Sequence, residues 1–244
     1  MKGLTAYIIA AGKGERLESE NCEYKKAMIP IFGVPMIGRL INMLCETGFR
    51  TIRVITNEAN SDVAEYIGKI AGEMTECDVD VLLKSTPSSM HSLYELLSYK
   101  NCEEFFLFTV DTIFHQVQLQ NYVEYCIDSN HNYDAIMAVT EYIDDEKPLY
   151  VRTAGDEITA FLDTREDCTK VTSGMYYFDE DVLPALSGLI ESGATKLRNF
   201  QRSLLQNGMR VGYFNFEKTI DLDHVGDIEK AEAFLKNSDE KIEG

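Results

Sequence analysis

The chain has 244 residues, 45% of them hydrophobic, which suits one large α/β domain or two small ones. Its 23 basic and 41 acidic residues give a formal net charge of −18, which repels nucleic acid and anionic membrane surfaces. These numbers disfavour a polyanion-binding module. Any phosphate ligand must be held by a few placed cations, to which a divalent metal is a natural addition.

The first predicted element is a strand that opens into a glycine-bearing loop. The apolar run at residues 7–11 ends in small residues, Gly12 and Gly14 follow, and Lys13 and Arg16 lie just beyond. Glycines let a backbone approach a ligand closely, and basic side chains donate charge-assisted hydrogen bonds to phosphate oxygens. The pattern indicates an anion-binding loop. A plain strand-to-turn transition with solvated basic residues is the open alternative.

Helices and strands then alternate. The pattern predicts, in chain order, a helix from residue 37 up to a C-cap at Gly48, a strand at 51–56, a helix at 61–70, a strand at 79–83, a hydroxyl-rich loop leading into a helix, and a strand at 105–110. Such alternation favours a doubly wound, mostly parallel, Rossmann-like sheet covered on both faces. Ligands of such sheets bind at the carboxyl ends of the strands.

Two features at predicted strand ends are candidates for ligand binding. Ser89 and Ser92 lie where a loop enters a helix, so their hydroxyls and the N–H groups there suit a phosphate or a base edge; an N-capping serine cluster is the open alternative. Asp111 ends the continuous apolar run FFLFTV, where a carboxylate is costly unless its charge is balanced. Asp111 is therefore a metal-ligand candidate, with a helix N-cap as the alternative.

The pattern changes in the second half of the chain. After a helix at 116–127 and a strand at 135–140, strand-like runs at 149–153, 157–162 and 171–178 predict a small antiparallel extension. Helices at 179–192 and 196–206, a strand at 211–216, an Asp-Leu-Asp segment at 221–223 and a last helix complete the chain.

The cysteines and the N-terminus carry no sign of export. The six cysteines, at 22, 45, 77, 102, 126 and 168, include no C-x-x-C pair and no histidine at zinc spacing, so we expect reduced, half-buried thiols. The chain runs straight into the first strand, and no apolar run reaches the ~18 residues that a membrane span needs. We therefore predict a cytoplasmic protein with no membrane partner and no nucleic-acid partner.

These motifs together resemble the sugar-phosphate and alcohol-phosphate nucleotidyltransferases, which include NDP-sugar pyrophosphorylases and MobA-like NTP transferases. The resemblance covers nearly the whole chain and is carried by AAGKGERL after the first strand, KKAMIP followed by GVPMI, the aspartate after FFLFTV, and the late Asp-Leu-Asp segment. There are two departures. The segment SSMHSL is closer to the choline-phosphate cytidylyltransferase branch than to the Gly-Thr-Ala segment of many sugar-specific members. Val110 stands where many relatives have glycine.

The resemblance implies a nucleotide site on the first loop. Arg16 and Lys26 fall on the basic pair of the family and are the candidate catalytic residues. The nucleotide-binding candidates are Ala10, Ala11, Gly12, Lys13, Gly14, Ser89 and Ser92.

The resemblance also implies a metal site and an acceptor pocket. Mg²⁺ is the expected cofactor, held by Asp111 with Asp221 or Asp223, a choice that the sequence leaves open because both side chains would face one side of an extended segment. Gly174 and Tyr176 are the candidates for acceptor binding.

The implied reaction transfers an NMP group from an NTP to a phosphorylated sugar or alcohol and releases pyrophosphate, so the expected partners are an NTP and a phosphorylated small molecule. The implied organisation is a single domain at 1–236, of the nucleotide-diphospho-sugar transferase type, with an NTP-binding part at about 1–130, an acceptor-binding part at about 131–220 and a frayed tail at 237–244. The sequence carries no code for the base, the acceptor or the oligomeric state.

The glycine loop disfavours two other classes of nucleotide-binding enzyme. A dinucleotide-dependent oxidoreductase fails because Leu17 stands where its third glycine is needed, and a P-loop kinase fails because the loop lacks the G-K-[ST] ending. A regulatory module that binds a nucleotide or a sugar phosphate on the same fold without catalysis stays open as the alternative.

Overall fold

The computed structural model describes residues 3–12, 14–99, 103–130 and 132–242. The strands are β1 (Leu4–Ala10), β2 (Pro30–Ile31), β3 (Val34–Pro35), β4 (Phe49–Thr56), β5 (Asp78–Leu83), β6 (Glu104–Thr109), β7 (Thr112–Ile113), β8 (Ala135–Thr140), β9 (Tyr150–Ala154), β10 (Glu157–Leu162), β11 (Lys170–Asp179), β12 (Val211–Phe216) and β13 (Ile220–Asp221). The helices are α1 (Glu15–Ser19), α2 (Met36–Thr47), α3 (Ser61–Glu73), α4 (Ser89–Tyr99), α5 (Gln116–Ser129), α6 (Leu183–Glu191), α7 (Leu197–Gln206) and α8 (Gly226–Ile242). The predicted elements of the first half are confirmed, with ends displaced by a few residues. The last helix includes residues 237–242, which the sequence analysis assigned to a frayed tail.

Nine strands form the central sheet in the order β5-β4-β1-β6-β11-β8-β12-β10-β9. The β1 strand runs parallel to β4 and β6, and β4 runs parallel to β5. In contrast, β11 is antiparallel to both β6 and β8. The sheet is therefore mixed, and the mostly parallel arrangement is not confirmed. No helix in the described ranges is long and apolar enough to cross a membrane.

All three strands of the predicted antiparallel extension belong to the nine-stranded sheet. The β9 and β10 strands form an antiparallel pair at its edge, and the first residues of β11 also pair antiparallel with β9. The rest of β11 lies at the centre between β6 and β8, where Met175–Phe178 are all buried, as fits a strand covered on both faces. The antiparallel pairing is confirmed, but the extension is continuous with the main sheet.

Both faces of the sheet are covered, as predicted. Along β1, Ala6 and Ile8 pack into a core on the side of α2, α3 and α5, while Tyr7 and Ile9 pack into a second core on the side of α4, α6 and α7. Successive side chains of a strand point to opposite faces, so a strand buried on both sides needs the unbroken apolar run that the sequence shows here. The sheet therefore holds the end of β1 rigidly.

The prediction of reduced cysteines is wrong for one pair. Cys45, in the last turn of α2, and Cys77, just before β5, form a disulfide with Cα atoms 6.0 Å apart. The parallel pairing of β4 with β5 brings the start of β5 beside the end of α2, a proximity that cysteine spacing alone does not reveal. Cys22, Cys126 and Cys168 carry free thiols, and Cys102 lies outside the described residues.

The central strand β11 has an irregularity at Gly174. Its register against β8 shifts between Thr172 and Tyr176, and Gly174 has a φ of 60°. A Cβ at this position would lie 2.2 Å from Thr112 Oγ1 and 2.4 Å from Thr109 Oγ1. Only glycine fits, because both the left-handed conformation and the approach to the two threonines exclude a side chain.

We expect Gly174→Ala to lower the free energy of unfolding by about 2–4 kcal/mol, the cost of a left-handed alanine plus that of an overpacked contact. Gly155→Ala is the matched control, because Gly155 has a φ of 63° but nothing within 4 Å of an added Cβ. Urea denaturation of both variants measures the difference. Equal losses in the free energy of unfolding of the two variants would show that the threonines near Gly174 do not exclude a side chain there.

Candidate active site

A cavity of about 610 Å³ opens at the carboxyl ends of β1 and β6. Six of the predicted nucleotide-binding residues line it, namely Ala10, Ala11, Gly12, Gly14, Ser89 and Ser92. The seventh, Lys13, lies outside the described residues. Asn57, at the end of β4, also lines the cavity and was not predicted. The cavity is large enough for a drug-sized or nucleotide-sized ligand.

The glycine loop joins β1 to α1 and brings two basic residues together. Gly14, at the N-terminus of α1, has a φ of 69°, and a Cβ there would lie 3.3 Å from Lys26 Cβ. The turn therefore needs a residue that tolerates a left-handed backbone. Arg16 follows in the first turn of α1, and Lys26 lies in a short 3₁₀ helix, so both side chains reach the mouth of the cavity.

A second cavity, of about 440 Å³, adjoins the first. Gly174 and Tyr176, the predicted acceptor-binding residues, line it together with Asp221. Ser89, Thr109, Asp111 and Asp223 are among the residues that line both cavities. These shared residues mark the junction where ligands in the two cavities would meet.

At this junction a lysine lies between two carboxylates. The Lys26 ammonium is 2.6 Å from Asp111 Oδ2 and 2.7 Å from Asp223 Oδ1, and Arg16 Nη1 is 2.5 Å from Asp223 Oδ2. Burial acts to lower the pKa of Lys26, but the charges of Asp111 and Asp223 outweigh it and raise that pKa. Lys26 therefore stays protonated at neutral pH.

The backbone fixes the positions of these carboxylates. The pairing of β13 with β7 sets Asp221 opposite Thr112, and the Leu222 N–H donates to the Asp111 carbonyl over 3.0 Å. The Asp223 N–H donates to Asp227 Oδ2 in the turn before α8. Residues more than 100 positions apart in sequence are thus held together by main-chain hydrogen bonds.

Asp111 and Asp221 differ in charge balance. Burial alone would raise the pKa of Asp111, but the Lys26 charge and hydrogen bonds from Lys26 and Thr109 bring it below its usual value. Burial and then the negative charge of Asp111 raise the pKa of Asp221 to about 7, against a hydrogen bond from Thr112. Asp221 makes no ion pair with any described residue, so its charge is the one left unbalanced at the site.

The donor set fits a magnesium ion that keeps waters and substrate oxygens as ligands. Within the described ranges, no group of three or more His, Cys, Asp or Glu side chains is arranged to hold a metal ion. Mg²⁺ commonly takes only one or two protein carboxylates beside substrate phosphates. The unbalanced charge of Asp221 next to Asp111 is what such a cation would offset.

The serine loop contains both a helix N-cap and a residue open to a ligand, and different serines fill these two roles. Ser88 accepts a hydrogen bond from the His91 N–H over 3.4 Å and so caps α4, while the Ser92 hydroxyl is buried against Thr86 Oγ1 at 2.6 Å. Ser89 makes no side-chain hydrogen bond to a described residue and lines both cavities. Of these serines, Ser89 is the one best placed to meet a ligand.

Sequence reasoning missed Glu146. This residue lies in the loop between β8 and β9, with its carboxylate 3.5 Å from Arg16 Nη2 and 3.4 Å from His224 Nε2. His224 also contacts Glu20, whose hydrogen bond raises the pKa of the imidazole. The acidic run at 144–146 was the available signal, but a charge run in a loop normally indicates a solvated surface.

A glycine-bearing loop after the first strand of an α/β sheet, beside a carboxylate at the end of a neighbouring strand, is an arrangement of nucleotide-binding proteins. Residues 6–203 match the family model described as the MobA-like NTP transferase domain. The chain belongs to this family of nucleotidyltransferases, and the resemblance seen in the sequence is confirmed.

A curated protein with a related activity in its name is similar to part of this chain. A bifunctional sugar-1-phosphate nucleotidylyltransferase/acetyltransferase of Sulfurisphaera tokodaii is 37% identical over 75 residues, which are 31% of this chain and 19% of that protein. The chain thus matches under a fifth of the length of this curated relative.

Solved structures share the fold over nearly the whole chain. The inositol-1-phosphate CTP transferase from T. maritima is 20% identical, with a TM-score of 0.76 over 96% of this chain and 98% of that one. A UDP-glucose pyrophosphorylase complexed with UDP-glucose is 17% identical, with a TM-score of 0.78 over 95% and 98% of the two chains. At such identities the likeness shows the fold.

Proposed function

We propose that this protein transfers an NMP group from an NTP to the phosphate of a phosphorylated sugar or alcohol and releases pyrophosphate. The observation that carries the proposal is the junction of two cavities at Lys26, Asp111 and Asp223. The larger cavity, lined by the glycine loop, would take the nucleotide, and the second would take the acceptor. Both belong to one domain at 1–236, in which residues 1–130 supply most of the nucleotide site and 131–220 most of the acceptor site.

The chemistry needs charge neutralisation more than a base. An oxygen of the acceptor phosphate forms a bond to the α-phosphorus while the bond from that phosphorus to the α,β-bridging oxygen breaks, and pyrophosphate leaves. A phosphate dianion is already a nucleophile at neutral pH, so the main obstacle is the repulsion between two anions. This fits a site built around Lys26 and Arg16, in which the described residues form no nucleophile–histidine–acid set.

Each residue then has a distinct task. Arg16 suits bidentate contacts with the β- and γ-phosphates, and Lys26 suits a point charge shared between donor and acceptor. Bound phosphates would take over from Asp223 and Glu146 as partners of Arg16. A Mg²⁺ ion held by Asp111 with Asp221 or Asp223 would supply Lewis-acid and template chemistry at the α-phosphate.

A pyrophosphate-release assay tests the proposal. ATP, CTP, GTP and UTP are each combined with a panel of phosphorylated sugars, cyclitols and amino alcohols, with and without MgCl₂. We expect release only when NTP, one acceptor class and the metal are present together. Silence across the panel, combined with tight nucleotide binding, would favour the non-catalytic binding module.

Glu146 competes with the triphosphate for Arg16 in this account. We expect Glu146→Gln to lower the KM for the NTP by about two- to fivefold, the range of an exposed ion pair, with little change in kcat. Steady-state kinetics measure both constants. Glu141→Gln is the control, because Glu141 lies in the same loop as Glu146 but pairs with Lys170 of β11. An unchanged KM in Glu146→Gln would show that Glu146 does not compete with the triphosphate for Arg16.

A further inference from the structure

The hydroxyls of Thr109 and Thr112 connect the two aspartates that approach the junction from different strands. Thr112 Oγ1 donates to Asp221 Oδ1 over 2.8 Å, and Thr109 Oγ1 lies 3.0 Å from Thr112 Oγ1. Thr109 is the last residue of β6 and Thr112 the first of β7, so the pair flanks Asp111 in sequence.

Counting hydrogens assigns one hydroxyl to each aspartate. A threonine hydroxyl has one hydrogen, and a carboxylate can only accept. Thr112 donates its hydrogen to Asp221, and Thr109 donates its own to Asp111. The two hydroxyls lie side by side, 3.0 Å apart, between the two carboxylates.

The fold is shaped to accommodate these hydroxyls. Thr112 is 4% exposed, and Gly174 lies so close that an added Cβ would be 2.2 Å from Thr112 Oγ1 and 2.4 Å from Thr109 Oγ1. The register shift of β11 and the positive φ of Gly174 occur at this contact. An irregular central strand and an obligatory glycine enclose this pair of side chains, and both threonines line the second cavity beside the junction.

We propose that Thr112 is a positioning residue that orients the Asp221 carboxylate for binding the divalent cation at the junction. This inference rests on the proposed function, since it gives Asp221 a ligand role. Groups that hold a metal ligand in place typically contribute about 10- to 100-fold to metal affinity or activity when they are removed. Thr112 acts through Asp221, to which it donates its only hydroxyl hydrogen.

The test compares Thr112→Val, which keeps the shape and removes the hydroxyl, with Thr112→Ser, which keeps the hydroxyl. Mn²⁺ binding to the full chain is measured from the EPR signal of free Mn²⁺, with the α,β-methylene analogue of each common triphosphate present. We expect Thr112→Val to weaken Mn²⁺ binding by at least about 10-fold and to lower kcat by a similar factor, while Thr112→Ser stays within about threefold of wild type.

A double-mutant cycle with Asp221→Asn separates positioning from a purely structural role. If Thr112 acts through Asp221, Thr112→Val adds little to the loss of Mn²⁺ affinity in the Asp221→Asn background. Wild-type Mn²⁺ affinity in Thr112→Val, equal losses in the valine and serine variants, or additive losses in the cycle would overturn the inference. A wild-type protein whose Mn²⁺ affinity depends on Thr112 as expected but that transfers nothing would instead contradict the proposed function.

Discussion

The Lys26→Ala variant is expected to turn over at least ~100-fold more slowly than the wild-type protein, the scale of losing one preorganised charge contact in a water-excluded site. The Lys26 ammonium is mostly buried between Asp111 and Asp223, so its removal leaves two carboxylates facing the phosphates. Repulsion between the acceptor and the α-phosphate then goes unscreened. The kcat of pyrophosphate release measures the loss.

The neighbouring lysine is a matched control. Lys25 pairs with Asp62 on the surface and donates to the Ala59 carbonyl over 2.9 Å, away from the junction. We expect Lys25→Ala to stay within about twofold of wild type, as is usual for an exposed ion pair. Comparable losses in Lys25→Ala and Lys26→Ala would mean that the basic segment acts as a whole and that Lys26 has no special place.

The Asp111→Asn variant is expected to lose at least ~100-fold in turnover as well, but for a different reason. The amide keeps the shape of the side chain and a hydrogen-bonding oxygen, yet it removes the negative charge that pairs with Lys26 and makes the carboxylate a ligand for a hard cation. The loss should appear in kcat and in the concentration of MgCl₂ needed for half-maximal rate. Asp62→Asn, at the surface ion pair, is the control.

Folding of the Asp111→Asn variant should be little affected. The variant loses the stabilising contact between Lys26 and the Asp111 charge, but it also relieves the repulsion between Asp111 and Asp221, and Lys26 keeps Asp223 as a partner. Thermal unfolding should therefore stay near the wild-type midpoint while turnover falls. A variant that is both folded and fully active would remove Asp111 from the site.

The local signals in the sequence were enough to predict the edges of the site. A long apolar run followed by Asp111 placed a carboxylate at the end of a buried strand, and the structure has β6 there. The glycine loop after β1 was predictable in the same way, because close approach and positive φ are local requirements that Gly14 meets. That Lys26 and Asp223 come together with Asp111 was implied by family resemblance and not by spacing.

The order of the strands was not predictable from these signals. The run at 171–178 was assigned to an antiparallel extension because turns precede it, yet its apolar second half, Met175–Phe178, has the pattern of a central strand. Strand order is set by pairing between residues remote in sequence, whereas hydrophobic periodicity reports only on residues close in sequence. The Cys45–Cys77 disulfide was not predicted for the same reason, since the pairing of β4 with β5 brings those residues together.

The side-chain pairings at the site were also out of reach. Thr112 reads in the sequence as an ordinary β-branched strand residue, and Glu146 as part of a solvated acidic run. Their contacts at the site form only when β13 pairs with β7 and when the loop after β8 lies against Arg16. Such contacts depend on distances of a few ångströms between segments remote in sequence.

The most direct measurement follows an isotope through the reaction. An acceptor whose phosphate oxygens carry ¹⁸O is incubated with its NTP, and the products are examined by ³¹P NMR for the shifts that ¹⁸O induces. Direct attack on the α-phosphorus predicts ¹⁸O in the oxygen that bridges the two phosphorus atoms of the new nucleotide product, and none in pyrophosphate. Label in the released pyrophosphate, or NTP cleavage that leaves the acceptor unchanged, would contradict the account.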